Sequence, residues 1–348
     1  MRGICFDGIQ QVAWKSLADA RIEASTDVVV NVEMAGLCGS DLHPYFGRET
    51  GLDHGTVMGH EFVGRIVAVG DQVTQLSTGQ RVFAPFTTNC GKCFFCSIGL
   101  TSRCEQGQLF GWRCNGQGLH GGQAELVRVP LAESTLLTIP DHIPPELALL
   151  LGDNLSTAFY CASMADIPGN KLVAIIGCGC VGLLSILAAR EISGGQIVAI
   201  DKIPQRLEKA KQLGAIPATP DEAADVISNL TKGRGADSVM ELVGLAPAQK
   251  LAYELLRPGG TMSVIGCHSS PSFAFTPAEA YDKNLTYRTG RSSARCYMQQ
   301  LLERPSWLAS IDLNAFITHR FEAADGVRAY EIFAHQKDGC IKAVLDFS

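Results

Sequence analysis

The segment Gly177-Cys178-Gly179-Cys180-Val181-Gly182 decides the fold of the second half of this chain. It follows an apolar stretch, Lys171 to Ile176, that predicts a short strand, and it precedes an apolar helix from about Leu183 to Glu191. A second predicted strand, Gln196 to Ile200, ends in Asp201. Strand, glycine loop, helix, strand and acidic residue in this order form the βαβ pattern of a dinucleotide-binding fold.

Each glycine of the loop has a separate function in such a fold. Gly177 permits the tight turn, Gly179 lets the backbone approach a pyrophosphate, and Gly182 allows the helix to pack closely on the strand. The first amides of the helix then face the phosphates. Glycine-rich turns also occur without a cofactor, and the flanking strands and Asp201 are what favour the binding interpretation.

Asp201 indicates which dinucleotide is bound. A carboxylate accepts hydrogen bonds from a ribose diol and repels a 2′-phosphate, so we expect NAD to be preferred over NADP. Lys202 and Arg206 are basic and could assist with either group, so the preference is not absolute.

Strand and helix signals continue to alternate after Asp201. Helices are predicted at Arg206 to Leu213 and Ala246 to Leu256, and strands at Asp237 to Val243 and Thr261 to Ile265. This alternation predicts a doubly wound parallel sheet.

The first part of the chain has a different pattern. Short β-branched runs alternate with Gly, Pro, Asn and Asp, which is typical of a mostly antiparallel β-rich domain; the runs are Val28 to Val32, Phe62 to Val69, Arg81 to Ala84 and Ala124 to Val129. A proline-rich link, Pro140 to Pro145, precedes a predicted domain boundary near residue 154. At the other end of the chain, Gly339 to Phe347 predicts a final strand, whereas residues 293–335 give no clear pattern.

Two short segments of the β-rich part combine metal-ligating side chains. Cys38-Gly39-Ser40-Asp41-Leu42-His43 follows one predicted strand, and Gly59-His60-Glu61 precedes the next. Cys and His are ligands that zinc favours. A lone Cys or a lone His is more often a packed core residue, so the interpretation of these two segments as a metal site depends on the rest of the chain.

A cysteine-rich loop gives a stronger metal signal. Cys90, Cys93, Cys96 and Cys104 lie within a single loop-like segment. Four thiolates with no open position describe a structural zinc site, in which the metal replaces a hydrophobic core. A redox pair or buried core cysteines are the alternatives.

Composition limits the function further. The 348 residues are enough for two domains; 46% are hydrophobic, 18% are charged, and the net charge is -6. The sequence has no stripe of basic residues of the kind that binds nucleic acid. It also has no apolar segment that approaches the ~18 residues of a membrane span. The N-terminus lacks a signal-peptide pattern. We therefore expect a cytoplasmic protein whose thirteen cysteines stay reduced.

The order of these motifs resembles the medium-chain, zinc-dependent alcohol dehydrogenase family over essentially the whole chain. The resemblance implies an α/β protein with a GroES-like β-rich catalytic domain, formed by residues 1–153 and 293–348. A Rossmann domain with a doubly wound parallel sheet would occupy residues 154–292.

The resemblance assigns a catalytic zinc to Cys38, His60 and Asp153, and it marks Glu61 as a carboxylate that enters the coordination sphere in some members. Many members have Cys or Glu where this chain has Asp153. Aspartate is similar to the branch with bacterial secondary-alcohol dehydrogenases and glutathione-independent formaldehyde dehydrogenases. Asp153 also precedes a helical run, Leu155 to Met164, so a helix N-cap is the alternative or additional role.

The resemblance also assigns roles around the substrate. Ser40 and His43 correspond to the proton relay, and Asp41 is expected to orient a zinc-bound imidazole. Phe86 corresponds to a wall of the substrate pocket, although a plain core phenylalanine is an equal alternative.

Several residues are assigned to the cofactor by resemblance. Lysine at position 342 replaces an arginine that reaches the phosphates in some members, which keeps the charge but loses the bidentate contact. The assigned residues, with the three glycines, are Cys180 and Val181 for the pyrophosphate, Asp201 and Arg206 for the adenosine ribose, Val243 and Gly266 for the nicotinamide half, and Lys342 for the phosphates.

The expected protein is thus a zinc-dependent oxidoreductase that transfers hydride between an alcohol or carbonyl substrate and NAD, with two zinc ions per subunit. A formaldehyde dehydrogenase or dismutase is an alternative, but its extra loop does not fit a chain of 348 residues. A non-catalytic NAD-binding zinc protein is a further alternative. Family members are usually homodimers or homotetramers, and we expect pairing along an edge strand near Thr261 to Ile265.

Overall fold

The computed structural model describes residues 1–167, 169, 171–267 and 270–348. The chain forms two compact units, one of Met1–Ser156 with Ser293–Ser348 and the other of Thr157–Ser292. The first unit therefore extends to Ser156 instead of the predicted residue 153. Among the described residues, no helix has the length and apolar character needed to cross a membrane.

The first unit begins with an antiparallel hairpin, and most of its elements are strands. The strands before the second unit are β1 Arg2–Gly8, β2 Gln11–Ser16, β3 Val28–Gly36, β4 Glu61–Val69, β5 Arg81–Phe83, β6 Trp112–Cys114, β7 Gln117–Leu119, β8 Leu126–Val129 and β9 Leu137–Thr138. The helices there are α1 Leu42–Tyr45, α2 Phe94–Ser97, α3 Ala132–Thr135 and α4 Pro145–Gly152.

Antiparallel pairing of β3 with β4 positions the two predicted metal-binding segments. Alternate valines of β3, such as Val30, pack with Phe62 and Ile66 of β4 in one buried core. Gly36 at the end of β3 pairs with Glu61 at the start of β4. The residues just after β3 and just before β4 therefore lie side by side, which explains how segments 38–43 and 59–61 meet.

The second unit alternates helices and strands as predicted. Helix α5, Asn154–Met164, begins in the first unit and continues into the second. The elements that follow it are β10 Val173–Ile176, α6 Cys180–Ser193, β11 Ile197–Ile200, α7 Pro204–Gln212, β12 Ile216–Ala218, α8 Ala223–Thr231, β13 Ala236–Glu241, α9 Ala246–Leu255, β14 Leu256–Val264, α10 Pro277–Asp282 and β15 Thr286–Thr289. The described pairs within this sheet are parallel.

The strand order of this sheet is β12-β11-β10-β13-β14-β15. The order reverses between β10 and β13, and ligands of doubly wound folds bind at such a switch point. The predicted Rossmann domain is confirmed. The predicted edge strand is wrong, because Thr261 to Ile265 belongs largely to β14, which pairs with both β13 and β15. Among the described residues, Thr286–Thr289 forms that edge instead.

The chain then returns to the first unit. Residues 293–335, which gave no clear pattern in the sequence, contain α11 Ala294–Leu302, α12 Pro305–Ala309, β16 Ile317–Glu322 and α13 Gly326–Ala334. The predicted final strand is β17 Lys342–Asp346, which pairs antiparallel with β3 and parallel with β16. The last strand, β17, therefore lies inside the sheet that carries the candidate site, between the edge strand β16 and β3.

Candidate active site

Four potential metal ligands of the first unit converge. Cys38, His60, Glu61 and Asp153 each offer one ligand atom, and these atoms all lie within 4.8 Å of one another. Oδ2 of Asp153 is 3.5 Å from Sγ of Cys38 and 3.5 Å from Nε2 of His60. Asp153 follows the end of α4 directly, so the long separation in sequence is closed by the fold.

Backbone geometry next to His60 depends on a glycine. Gly59 has a φ of +84°, which L side chains rarely adopt. A methyl group there would also lie 2.4 Å from Cγ of Gln123. Only glycine therefore fits at the turn that presents His60.

The charge of this cluster fits a divalent cation. His60, Glu61 and Asp153 are at most 8% exposed. Burial raises the pKa of the Cys38 thiol, and the carboxylates of Asp153 and Glu61 raise it further. Thiolate and carboxylates buried together repel one another unless a cation neutralises them. A thiol, an imidazole and a carboxylate are a donor set that suits zinc.

Asp41 supports His60 from the side away from the other donors. Its Oδ1 lies 3.1 Å from Nδ1 of His60, and its Oδ2 accepts the amide of Cys38 at 2.9 Å. A carboxylate on Nδ1 favours the tautomer whose Nε2 is free to bind a metal. The geometry matches the role that the sequence assigned to Asp41.

Glu61 is held by two partners behind the cluster. Its Oε1 accepts Nδ2 of Asn154 at 2.8 Å, and its Oε2 is paired with Nζ of Lys342. Burial raises the pKa of Glu61, whereas the Lys342 ammonium lowers it. The side chain of Lys342 is 1% exposed and its ammonium faces Glu61, and its contact with cofactor phosphates stays a prediction.

Asn154 was missed by the sequence analysis. Its amide contacts both Glu61 and Oδ2 of Asp153, the latter at 3.3 Å. Asn154 could have been identified from the sequence, because it is a polar residue that lies beside Asp153 directly after a leucine-rich helix.

Ser40 lies on the exposed side of the cluster. Its hydroxyl is 3.3 Å from Nε2 of His60, and the residue is solvent-exposed. His43 lies in α1, half-buried, and burial lowers its pKa below the ordinary value, so it is mainly neutral at pH 7. The ring centroid of Phe86 is 6.3 Å from that of His60, edge to face, which places Phe86 beside the cluster.

The four cysteines of the loop also converge. The ligand atoms of Cys90, Cys93, Cys96 and Cys104 lie within 4.8 Å of one another. Backbone amides donate to two of the sulfurs. The amide of Cys93 donates to Sγ of Cys90 at 3.3 Å, and the amide of Cys90 donates to Sγ of Cys104 at 3.1 Å. Backbone hydrogen bonds from Cys96 and Glu105 lower the pKa of Cys93 to about 6. Four sulfurs that converge in this way fit a tetrahedral metal rather than a disulfide.

In the second unit, the glycine loop has the geometry that the motif predicts. Gly177 has a φ of +95°, and a methyl group on Gly182 would lie 1.7 Å from the carbonyl oxygen of Gly177. A methyl group on Gly179 would meet nothing within 4 Å. The helix α6 then begins at Cys180, followed by Val181, so its free amides face the space that Gly179 leaves open.

Asp201 lies at the end of β11 beside this loop. Its carboxylate accepts the amide of Cys178 at 2.7 Å and that of Ile203 at 2.9 Å. Nη1 of Arg206 is 3.9 Å from Oδ2 of the same carboxylate. The carboxylate is therefore fixed, with lone pairs remaining for a ribose diol, and Lys202 is exposed next to it.

The loops after β13 and β14 hold the two residues assigned to the nicotinamide half. Val243 is 41% exposed, and a methyl group on Gly266 would lie 2.2 Å from the amide nitrogen of Gly244. Glu241, which the sequence analysis missed, is fully buried and accepts the amides of Val243 and Gly244 at 2.8 and 2.9 Å. An acidic residue ending an apolar strand was its only signal in the sequence.

Fold and site together define a class of protein, a zinc-dependent dehydrogenase with a nicotinamide cofactor. One unit carries a buried thiol, imidazole and carboxylate cluster with a hydroxyl beside it, and the other carries a dinucleotide-binding loop.

Comparisons with known proteins agree with this class. The model of the alcohol dehydrogenase GroES-like domain matches residues 24–141, and that of the zinc-binding dehydrogenase matches residues 180–306. Zinc-type alcohol dehydrogenase B of Aspergillus flavus is 40% identical over 313 residues, 87% of this chain and 72% of the relative. NADP-dependent isopropanol dehydrogenase of Clostridium beijerinckii is 28% identical, with 99% of each chain covered. The structure of alcohol dehydrogenase TADH from Thermus sp. ATN1 matches with a TM-score of 0.92 at 36% identity, covering 99% of each chain.

The chain belongs to the medium-chain, zinc-dependent alcohol dehydrogenase family. It is an oxidoreductase of that family, with zinc and a nicotinamide cofactor and small-molecule alcohols or their carbonyl products as substrates.

Proposed function

We propose that the chain oxidises an alcohol to its carbonyl product with NAD, and reduces the carbonyl with NADH. The observation that carries the proposal is the convergence of Cys38, His60 and Asp153 beside the exposed hydroxyl of Ser40. These three side chains hold the catalytic zinc, and the side of the cluster near Ser40 receives the substrate oxygen.

The roles of the side chains follow from their chemistry. Zinc bound at Cys38, His60 and Asp153 supplies Lewis acidity to the substrate oxygen. Ser40 would accept the proton that this oxygen releases while its own hydroxyl proton passes to the cofactor ribose, and neutral His43 would take the proton from the ribose toward solvent. Glu61 stays paired with Lys342 in the structure described here, and its entry into the coordination sphere remains a prediction.

Preference for NAD over NADP is part of the proposal. The anchored carboxylate of Asp201 supports it, because a 2′-phosphate in its place would meet a negative charge. The nearby Arg206 moderates the effect. We expect Asp201→Gly to raise the NADP to NAD ratio of kcat/KM at least tenfold, and an unchanged ratio would contradict this role.

Two zinc ions per subunit are likewise proposed. The catalytic cluster takes one, and Cys90, Cys93, Cys96 and Cys104 take the other as a structural ion. Metal analysis of purified protein, expected to give about two zinc ions per chain, measures this directly.

Assembly and location complete the proposal. We propose a homodimer or homotetramer that uses the exposed edge strand Thr286–Thr289, since an unpaired edge favours pairing with another chain. A reducing compartment such as the cytoplasm suits a chain with thirteen cysteines, four of which are proposed metal ligands.

One experiment tests the activity and its site together. A panel of alcohols, polyols and aldehydes is assayed with NAD and NADP, using wild type, Asp153→Asn and the control Asp71→Asn, which changes an exposed turn residue. We expect turnover by wild type and control, and a loss of at least 100-fold in kcat for Asp153→Asn with NADH binding intact. No turnover of any substrate by zinc-loaded wild type would refute the proposal.

A further inference from the structure

A chain of buried hydrogen bonds continues behind Asp41. The side chain of Gln123 donates Nε2 to the carbonyl oxygen of Gly36 at 3.0 Å and lies 3.4 Å from Oδ2 of Asp41. Its Oε1 accepts the hydroxyl of Tyr330 at 2.9 Å. Gln123 and Tyr330 are completely buried, and Asp41 is 5% exposed.

The surroundings of Gln123 fix the orientation of its amide. Both groups facing Nε2, the carbonyl of Gly36 and the carboxylate of Asp41, are acceptors. The reverse orientation would place Oε1 against these two acceptors, at the cost of a buried polar atom without a donor. Tyr330 must then donate its proton to Oε1, so the direction of each hydrogen bond is determined.

The consequence reaches the candidate zinc ligand His60. Asp41 contacts Nδ1 of His60 with Oδ1, while its other oxygen receives the Cys38 amide and faces Gln123. A carboxylate with donors on both oxygens keeps one orientation, and this orientation sets the tautomer and ring angle of the imidazole. Tyr330, on the C-terminal helix α13, is therefore connected to His60 through Gln123 and Asp41.

We propose that Gln123 and Tyr330 are positioning residues that hold Asp41, and through it His60, in the geometry that binds the catalytic metal. This inference rests on the proposed zinc site at Cys38, His60 and Asp153. It assigns a function to a tyrosine outside every metal and cofactor motif of the sequence.

The test uses the purified, zinc-loaded protein. Tyr330→Phe removes only the hydroxyl, and Gln123→Met removes the three side-chain amide contacts, with Gly36, Asp41 and Tyr330, at similar volume. Tyr45→Phe is the matched control, because its ring lies 5.6 Å from that of Tyr330 in the same core, and its hydroxyl is outside the chain of bonds. Thermal unfolding of each variant checks that the fold is retained.

Metal binding is the readout. We expect both variants to release zinc from the catalytic site to a chelator about 3–30 times faster than wild type, since partners directly behind a ligand typically change metal affinity 10–100-fold. Gln123 acts one contact beyond Asp41 and Tyr330 two, so the larger effect is expected for Gln123→Met. Release from the four-cysteine site should not change. After cobalt substitution of the catalytic site, the visible absorption bands of the variants should shift relative to wild type and Tyr45→Phe.

The outcomes separate the inference from the function on which it rests. Release rates and cobalt bands equal to those of wild type in folded Tyr330→Phe and Gln123→Met would overturn the positioning role alone. A wild-type protein that holds metal only at the four cysteines would overturn the zinc site, and the inference with it.

Discussion

Substitution of the glycines in the loop 177–182 separates packing from ligand binding. A methyl group on Gly182 would lie 1.7 Å from the carbonyl oxygen of Gly177, whereas one on Gly179 would meet nothing within 4 Å. Neither residue has a positive φ, so alanine is tolerated by the backbone at both positions. The two variants thus add the same group to the same loop in opposite surroundings.

The structure gives the size of each effect. A carbon and an oxygen need about 3.2 Å, so Gly182→Ala forces the loop and α6 apart by roughly 1.5 Å. Overpacking of this kind costs about 1–3 kcal/mol, or roughly 2–12 °C in Tm. Gly179→Ala should change stability by less than about 0.5 kcal/mol, but its methyl group occupies the space kept for the pyrophosphate, and we expect NADH affinity to fall at least tenfold.

Differential scanning calorimetry and titration of NADH fluorescence measure the two effects on the same samples. The reasoning requires Gly182→Ala to lose stability and Gly179→Ala to keep it while losing NADH affinity. A stable Gly182→Ala, or a Gly179→Ala with wild-type affinity for NADH, would refute the assignment of these glycines.

Three further predictions concern buried charge and metal. Lys342→Met should destabilise the protein by about 3–5 kcal/mol in urea unfolding by leaving Glu61 buried without its cation, and adding Glu61→Gln should restore most of the loss; equal midpoints for single mutant and wild type would contradict this. Burial opposes ionisation of Asp237, but hydrogen bonds from Arg257 and the Leu172 amide outweigh it and lower the pKa below 3.8. The stabilisation is therefore present above pH ~3.8 and lost as pH falls through the folded pKa, so Asp237→Asn should be destabilising at pH 7 and progressively less so as the pH is lowered below 3.8 in unfolding experiments. Cys96→Ser should lower the zinc content by about one ion per chain and expose the loop 90–104 to proteases, and an unchanged zinc content would argue against a structural site.

Local chemistry explains which features were predictable from sequence. The glycine loop, Asp201 and the four cysteines each impose a requirement that only certain residues at a fixed spacing can meet, so their positions could be found without coordinates. Strands of the first unit were predicted for the same reason, since turn residues separate β-branched runs.

Contacts that depend on strand register were not predictable. The pairing of Lys342 with Glu61 requires β17 to lie beside β3, and nothing near either residue in the sequence indicates this. The edge strand Thr286–Thr289 is short and largely exposed, without the apolar alternation by which strands are recognised, so the sequence does not indicate it. The expectation of an edge at Thr261 to Ile265 rests on the family resemblance alone. Gln123 and Tyr330 likewise belong to elements that meet only in the folded first unit.

The division of the first unit into two chain segments bears on how the protein is made. Cys38, His60 and Asp153 all precede the second unit in the chain, whereas Tyr330 and Lys342 follow it. Domains generally fold as units from the N-terminal end during synthesis. Glu61 can therefore meet the Lys342 ammonium only after the whole second unit has been synthesised, and the same holds for the contact of Gln123 with Tyr330. We expect the support behind the proposed metal ligands to be completed after the ligands themselves have been synthesised.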